Sequence, residues 1–484
     1  MKSKIKYYFG IDFGTTNSAL VGYTVTDQIT KVSKYGGQEE RPIPSAVAID
    51  DNGKVYTGRE AWNKKTQLRE TCHYFHSIKT ILDSDESYDI AGKSWSPVDI
   101  ASEVFKHLKS NVKFRINIDM KDALVSIPVG FSKNKRIKLR QAAQKAGIFI
   151  TAFVSEPTAA FFANYNELKS SSQVAIFDWG GGTLDVSVIK HSKGKIFELA
   201  ADGMNIAGDY IDQKIAERIH SKIDSKKKLH IAFEDMPPNA QDMMRVRAER
   251  AKIALSEEDD ANITINQYGN YGACRENIDY FWFKDIIEPE VTKAINCFEG
   301  VIKQSGVGIA NIDRIVMVGG SSNLRPLIDK MEEKYGDKLF FPEETMWNVG
   351  EGTAMLAMAP GDYRSSQSIG ILLSNNKYYE LLERGTVINS YNHKCNFGIV
   401  DTTEQARFVF ACKQGIDNNE ISTEEFKTLE LPNYKFLQEQ IIVNATIDED
   451  MIFRVTAKSN MQPNDYSRIW EYEKLKCYYQ LPVR

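Results

Sequence analysis

Two short stretches combine aspartate, glycine and threonine in a pattern suited to phosphate and a hard cation. In YFGIDFGTTNSALVGY (8–23), Asp12 and Gly14 lead into Thr15, Thr16 and Asn17. In IFDWGGGTLDVSVIK (176–190), Asp178 leads into Gly180, Gly181, Gly182 and Thr183, with Asp185 closing the turn. Glycines let backbone N–H groups approach an anion, hydroxyl and amide side chains add donors, and the carboxylates call for a cation. Either stretch alone reads equally well as a tight hairpin. Together, each headed by aspartate in the same register, they favour a polyphosphate clamped from two sides with a divalent cation. Neither matches GxxxxGK[ST], no lysine follows the glycines, and GxGxxG is missing as well, so this is not a P-loop. A third turn follows the apolar run IVMV (315–318): Gly319 and Gly320, then Ser321 and Ser322 ahead of a helix whose free N–H groups suit a phosphate or a ribose.

The elements that must position these residues can be read around them. Both aspartate turns are flanked by apolar, strand-like arms, and such a repeat predicts a duplicated, two-lobed domain with a central cleft. FSKNKRIKLRQAAQKAGI (131–148) predicts a helix opened by Ser132 as N-cap and closed by Gly147. Its five lysines and arginines before Gln141 read as a solvated or partner-facing surface. Residues 211–260 are charged and periodic, as long helices of a second lobe would be. The polar, turn-rich GDYRSSQS (361–368) marks a boundary, giving domains 1–361 and 362–484. Beyond it, alternation dominates. In IIVNATIDEDMIFRVTAKS (441–459), Val443, Ala445 and Ile447, then Phe453, Val455 and Ala457, alternate with polar neighbours about Asp448–Asp450. That is a β-hairpin with one buried face, and the tail as a whole predicts an antiparallel β-sandwich.

Composition narrows the function classes. A chain of 484 residues exceeds one core and fits two to four domains. With 42% apolar and 26% charged residues and a net charge of −4, it reads as a soluble protein, neither a general nucleic-acid binder nor a membrane-surface protein. The N-terminus lacks the apolar run of a signal peptide, and no window is long and apolar enough to span a bilayer. The six cysteines never form CxxC and predict reduced thiols of a cytoplasmic protein. The seven histidines form no HxH or HExxH pair, which argues against zinc.

GIDFGTTNS (10–18), VSEPTAA (154–160), IFDWGGGTLDVSVI (176–189) and IVMVGGSSNLRPL (315–327) in this order resemble the DnaK-type chaperones, the seventy-kilodalton heat-shock family. The resemblance runs from about residue 6 to 360 and continues to about 460. It implies an α/β fold: an actin-like ATPase domain of two ribonuclease-H-like halves, then a peptide-binding β-sandwich. It implies ATP and ADP as ligands, Mg²⁺ as cofactor with K⁺ as a further cation, unfolded peptide as client, and a co-chaperone and a nucleotide exchange factor as partners. By matched position, Asp12 and Asp178 would orient magnesium-bound waters. Thr15, Thr16 and Asn17, with Gly14, and Gly180, Gly181, Gly182 and Thr183 would bind phosphate. Lys79, in FHSIKTIL, would position the attacking water, and Glu156 would stand beside it. Pro128 and Arg136 match a relay of nucleotide state. Glu249, Lys252 and Ser256 would meet ribose and adenine, with Gly319, Gly320 and Ser321 on the nucleotide side of the cleft. Ile371 and Phe397 match positions of the peptide pocket.

The chain also departs from that family. DYRSSQS replaces an aspartate- and leucine-rich linker, which puts coupling between the domains in question. No helical lid follows the β-domain before YEKLKCYYQLPVR, so bound peptide is expected to exchange quickly. Ser374 stands where a bulky apolar residue arches over peptide, and Asn375–Asn376 replace glycines. Asn323 replaces an adenine-stacking arginine and Ala207 a turn glycine, both expected to weaken nucleotide binding. Two other classes share the fold: a small-molecule kinase of the sugar-kinase type, and a non-catalytic nucleotide sensor or scaffold. The EPTAA signature and the β-rich last quarter disfavour the kinase.

Overall fold

The computed structural model describes residues 5–26, 29–37, 41–67, 72–228, 230–373, 377–398, 405–413, 421–422, 428–432, 438–461 and 467–482. The chain forms two compact units, Met1–His191 with Glu198–Ala359, and Ser192–Phe197 with Pro360–Arg484.

The first unit is built twice on one plan. Strands β1 (Lys6–Asp12), β2 (Asn17–Val25), β3 (Thr30–Lys34), β4 (Asp122–Ile127) and β5 (Phe149–Ser155) run in the order β5-β4-β1-β2-β3. Strands β6 (Gln173–Trp179), β7 (Leu184–Ser192), β8 (Lys195–Met204), β9 (Arg314–Val318) and β10 (Leu339–Phe340) repeat it as β10-β9-β6-β7-β8. In each copy the first two strands form an antiparallel hairpin, and a later strand joins the first in parallel, Ile11 beside Val125 and Phe177 beside Met317. Parallel neighbours need a crossover, and helices supply it. In the first copy these are α1 (Pro97–Ile116) and α2 (Lys133–Lys145); α3 (Glu156–Ala163) follows β5. The duplication expected from the two turns is thus present in the sheet topology itself.

The helices begin and end where their sequence dictates. Ser132 Oγ accepts the Lys135 N–H at 3.2 Å to open α2, and Gly147 beyond its end takes φ +69, which a side chain would resist. The charged 211–260 region contributes α4 (Gly208–Lys227) and α5 (Pro238–Ala254) to the second copy. Later come α6 (Tyr280–Gln304), α7 (Arg325–Tyr335) and α8 (Asn348–Met358).

Each copy closes its own apolar core. One gathers Phe13, Phe105, Leu139 and Phe153; the other gathers Phe177, Trp179, Phe283 and Phe298. Helices α3 and α8 pack closely on each other, and α8 also lies against β1. A Cβ at Gly352 would lie 1.8 Å from the Ala159 carbonyl oxygen, and one at Gly10 would lie 2.2 Å from the Ala354 nitrogen. Glycine is required at both, because backbone meets backbone there.

The second unit is an antiparallel β-sandwich. One sheet runs β13-β12-β15, from β12 (Ser368–Leu372), β13 (Tyr378–Leu382) and β15 (Gln405–Lys413), and β16 (Thr428–Pro432) also pairs β15. The other runs β14-β17-β18-β19, from β14 (Asn392–Gly398), β17 (Gln440–Ile447), β18 (Phe453–Ser459) and β19 (Arg468–Tyr472). The hairpin read from residues 441–459 is β17–β18: Val443 opposes Ala457, Ala445 opposes Val455, Ile447 opposes Phe453, and all six are buried. Phe410 of one sheet stacks on Trp470 of the other with centroids 4.1 Å apart. Beside the sandwich, β11 (Asp362–Ser365) pairs the terminal strand β20 (Cys477–Gln480). The same β20 also pairs the first residues of β8: Lys195 with Gln480, Ile196 with Tyr479 and Phe197 with Tyr478. The six residues Ser192–Phe197 therefore belong with the C-terminal sequence.

Candidate nucleotide site

The two aspartate turns meet across a single cleft of about 1460 Å³ in the first unit. Asp12 ends β1, and its turn passes through Gly14, Thr15 and Thr16 to Asn17 at the start of β2. Asp178 lies near the end of β6, and the Gly180 N–H closes the second turn on the Thr183 carbonyl at 3.0 Å. The turns fit against each other without side-chain room. A Cβ at Gly181 would lie 2.3 Å from Thr16 Oγ1, and one at Gly182 2.3 Å from Thr15 Cγ2. Thr16 Oγ1 donates to Asp209 Oδ2 at 3.2 Å, joining one turn to the first residues of α4 on the opposite side.

The third turn braces the second. Gly319, at φ +82, would place a Cβ 2.5 Å from Asp178 Oδ1, so only glycine fits. Ser321 Oγ donates to the Gly180 carbonyl at 2.7 Å, and the Asp209 N–H donates to the Gly181 carbonyl at 2.7 Å. The Gly180 and Gly181 carbonyls are thereby engaged by the third turn and by the start of α4.

At the inner end of the cleft, Lys79 and Glu156 form a buried ion pair, Nζ to Oε1 at 2.8 Å. Lys79 sits on the short helix Ile78–Ile81, which follows Ser77 in the left-handed region at φ 53. Glu156 opens α3, whose N-cap Ser155 accepts the Thr158 N–H at 3.3 Å. Around this one ammonium stand Glu156, Asp12, Asp178 and Asp185. Burial pushes the Glu156 carboxyl up to about 7 although Lys79 opposes the shift. Burial, then repulsion from Glu156, Asp185 and Asp12, drives Asp178 well above the usual carboxylate range. Asp12 is raised by burial, against Lys79 and the Ser126 hydroxyl that donates to it at 3.2 Å. Asp185 is raised by burial while Thr183 Oγ1 donates to it at 2.7 Å. For Lys79 itself, burial acts to lower the pKa, but attraction to Glu156 and Asp12 outweighs it and the ammonium is held.

Four crowded carboxylates against one ammonium make an environment that a divalent cation relieves. Among the described residues no group of three Asp, Glu, His or Cys converges as a closed metal cage. Such an open arrangement fits Mg²⁺, which takes one or two protein carboxylates and fills its remaining positions with water and phosphate oxygens.

Every residue read as nucleotide-facing lines this cleft: Asp12, Gly14 to Asn17, Lys79, Glu156, Asp178, Gly180 to Thr183, Glu249, Lys252, Ser256 and Gly319 to Ser321. Lys252, among them, also has partners within the protein. Its ammonium is buried against Asp212 Oδ1 at 2.8 Å and the Gly208 carbonyl at 3.1 Å, a structural tie between α4 and α5. Asp212 is raised to about 7, by burial and then by nearby Glu249, against the pull of Lys252. Asp209 and Asp212 had no motif to single them out; the one usable signal was their spacing after the Ala207–Gly208 turn. Asn323, on the same wall, donates from Nδ2 to Thr345 Oγ1 at 3.0 Å. Pro128 and Arg136 are joined through Phe131, a residue the sequence did not mark. The Phe131 N–H donates to the Pro128 carbonyl at 3.2 Å, Arg136 NH1 donates to the Phe131 carbonyl at 2.6 Å, and Lys79 Nζ lies 5.7 Å from the Phe131 ring centroid.

In the β-unit, Ile371 is 2% exposed and faces the sandwich core. Phe397 is half-buried, edge-on to Tyr379 at 5.3 Å and to Phe408 at 5.5 Å. Ser374, Asn375 and Asn376 lie outside the described residues. No helix among the described residues is long and apolar enough to cross a membrane.

Known proteins resemble this chain over most of its length. The family model described as Hsp70 protein matches residues 73–474. A chaperone protein DnaK of Thermosipho melanesiensis is 26% identical over 482 residues, covering 95% of this chain and 79% of that protein.

Proposed function

The chain belongs to the Hsp70 family, and on that premise we propose that it is a chaperone ATPase that binds ATP and ADP with Mg²⁺ and hydrolyses ATP slowly. In this reading residues 1–361 form the nucleotide-binding domain. Residues 362–484 bind extended, unfolded peptide by main-chain pairing and an apolar pocket to which half-buried Phe397 contributes, while Ile371 stays in the sandwich core. A co-chaperone and a nucleotide exchange factor are its partners by the same analogy. A cytoplasmic setting accords with six cysteines of which none is in a disulfide. One observation carries the enzymatic reading: a Lys79–Glu156 pair buried at the end of a cleft whose two sides are aspartate–glycine turns.

Phosphoryl transfer to water requires positioning and charge neutralisation more than covalent chemistry. Asp12 and Asp178 would hold the Mg²⁺, which supplies neutralisation of phosphate charge. Thr15 and the N–H groups of Gly181 and Gly182 would bind phosphate oxygens, joined by Thr16 and Thr183 when their hydroxyls turn from Asp209 and Asp185. Lys79 orients the attacking water by donating to its oxygen. Glu156, tuned to about 7, accepts the proton that this water gives up.

ATPase assays with and without an unfolded peptide, and with a panel of sugars, test the reading. Magnesium-dependent release of ADP and phosphate without sugar is expected. Turnover that requires a sugar would make the chain a kinase, and tight nucleotide binding without turnover would make it a sensor. Peptide affinity is then compared with ATP and with ADP bound. A coupled chaperone must give two different values by linkage.

A further inference from the structure

Behind the ion pair lies a second, smaller cavity of about 250 Å³. Four residues line both it and the nucleotide cleft: Pro128, Glu156, Asp178 and Asp185. The wall between the two spaces is therefore one layer of side chains, and the proton-accepting carboxyl is part of it. The rear cavity opens to solvent past Val129, Gly130, Asp202 and Gly203, all exposed. A space of that size admits several waters. Its lining brings in a further carboxylate, Asp202, and the Ser187 hydroxyl, and among the described residues it contains no lysine, arginine or histidine. Such a lining repels phosphate and admits water and protons.

We propose that this rear cavity is the water inlet and proton outlet of the hydrolytic site, a route separate from the mouth through which nucleotide enters. The inference rests on the ATPase reading above. Hydrolysis consumes one water and frees one proton. The water oxygen bonds to the terminal phosphorus as the bond from that phosphorus to the bridging oxygen breaks, and the leaving diphosphate oxygen keeps the electron pair. The proton taken up by Glu156 passes to a water of the rear cavity and out past Asp202. Nucleotide fills the front cleft during turnover, so the site needs another way to exchange small molecules with bulk solvent, and the shared wall provides it.

Two measurements test this. First, Ser187→Cys is labelled with cationic aminoethyl and anionic sulfonatoethyl methanethiosulfonates in the nucleotide-free protein and with saturating Mg-ADP, against the parent's own six cysteines as background. The cationic reagent is expected to react at least tenfold faster than the anionic one. Its rate is expected to be unchanged by ADP and to fall at least tenfold when Val129→Trp or Ala201→Trp plugs the chamber. Protection by ADP, or labelling indifferent to charge and plug, overturns the proposal, and faster anionic labelling would mark a phosphate exit instead. Second, in the plugged proteins with native Ser187, ADP affinity stays within twofold while single-turnover hydrolysis drops at least fivefold and its solvent deuterium isotope effect rises. Hydrolysis at the parent rate in both plugged proteins refutes the route. Absence of hydrolysis in the parent would instead refute the ATPase reading and leave the labelling result to stand by itself.

Discussion

Replacing Lys79 by alanine separates the chemistry of the cleft from its ability to bind. The ammonium is buried and 2.8 Å from Glu156 Oε1. Breaking a buried ion pair usually costs about 3–5 kcal/mol, because the surviving charge is stranded. Here the survivor has an escape. Glu156 already titrates at about 7, and losing Lys79 can only move it higher, so at pH 7 it takes up a proton at little cost. The stability loss is accordingly expected to be small, about 1–2 kcal/mol, mostly from lost packing. The catalytic loss is larger, for two reasons with one origin: the attacking water loses its oriented donor, and the proton acceptor is already protonated. Removing one such donor typically slows a reaction roughly 10²–10³-fold, or about 3–4 kcal/mol of barrier. Mg-ADP affinity, measured by calorimetry, should stay within about threefold, since phosphate is gripped by the turns. Single-turnover hydrolysis followed from pH 6 to 9 should show the drop and an acid limb displaced to higher pH. A rate within threefold of the parent, or a limb that does not move, would refute the assignment of Lys79 and the coupling to Glu156 together.

The nucleotide-free protein should lose stability as pH rises from about 4, where an unfolded carboxylate titrates, to about 7, because Glu156 and Asp212 bind protons more tightly folded than unfolded; melting curves across that range should flatten in Glu156→Gln, and an unchanged slope removes Glu156 from the account. By the same linkage, Mg-ADP should bind more tightly as pH rises above the usual carboxylate range, with protons released on binding; affinity independent of pH in calorimetry from that range up to pH 8 would contradict the upward shifts of Asp12 and Asp178. Gly319→Ala, at φ +82 with Asp178 2.5 Å from the new methyl, should weaken nucleotide binding at least tenfold with the fold retained by circular dichroism; parental affinity would show that the third turn does not brace the second. Gly352→Ala should destabilise the first unit by about 2–4 kcal/mol, since its methyl would lie 1.8 Å from the Ala159 carbonyl, and a parental denaturation midpoint would disprove that tight packing.

Much of the nucleotide site could be read from the chain because its parts are local. An aspartate, a glycine and a hydroxyl within six residues define a turn and its chemistry wherever that turn ends up. The terminal hairpin was legible for a related reason: strict alternation from Val443 to Ala457 leaves one register that buries every apolar residue. What escaped were contacts made only by folding. Phe131 links Pro128 to Arg136 through backbone carbonyls, which any residue type offers. Asp209 reaches Thr16 across 193 positions, and no spacing rule covers such a distance. The pairing of Lys252 with Asp212 is another such contact, formed because a buried ammonium is drawn to the nearest carboxylate. Ser192–Phe197 gave no compositional sign that its partners lie at the far end of the chain.

That last pairing bears on how the protein can be cut. A fragment ending at Ala359 would keep Lys195, Ile196 and Phe197 but lose Tyr478, Tyr479 and Gln480, leaving unpaired N–H and C=O groups and an uncovered Phe197 ring on a sheet margin. Margins of that kind recruit strands from other molecules. Material prepared by simple truncation is therefore expected to self-associate, and a well-behaved fragment would carry a loop in which Ser192–Phe197 is shortened or made polar.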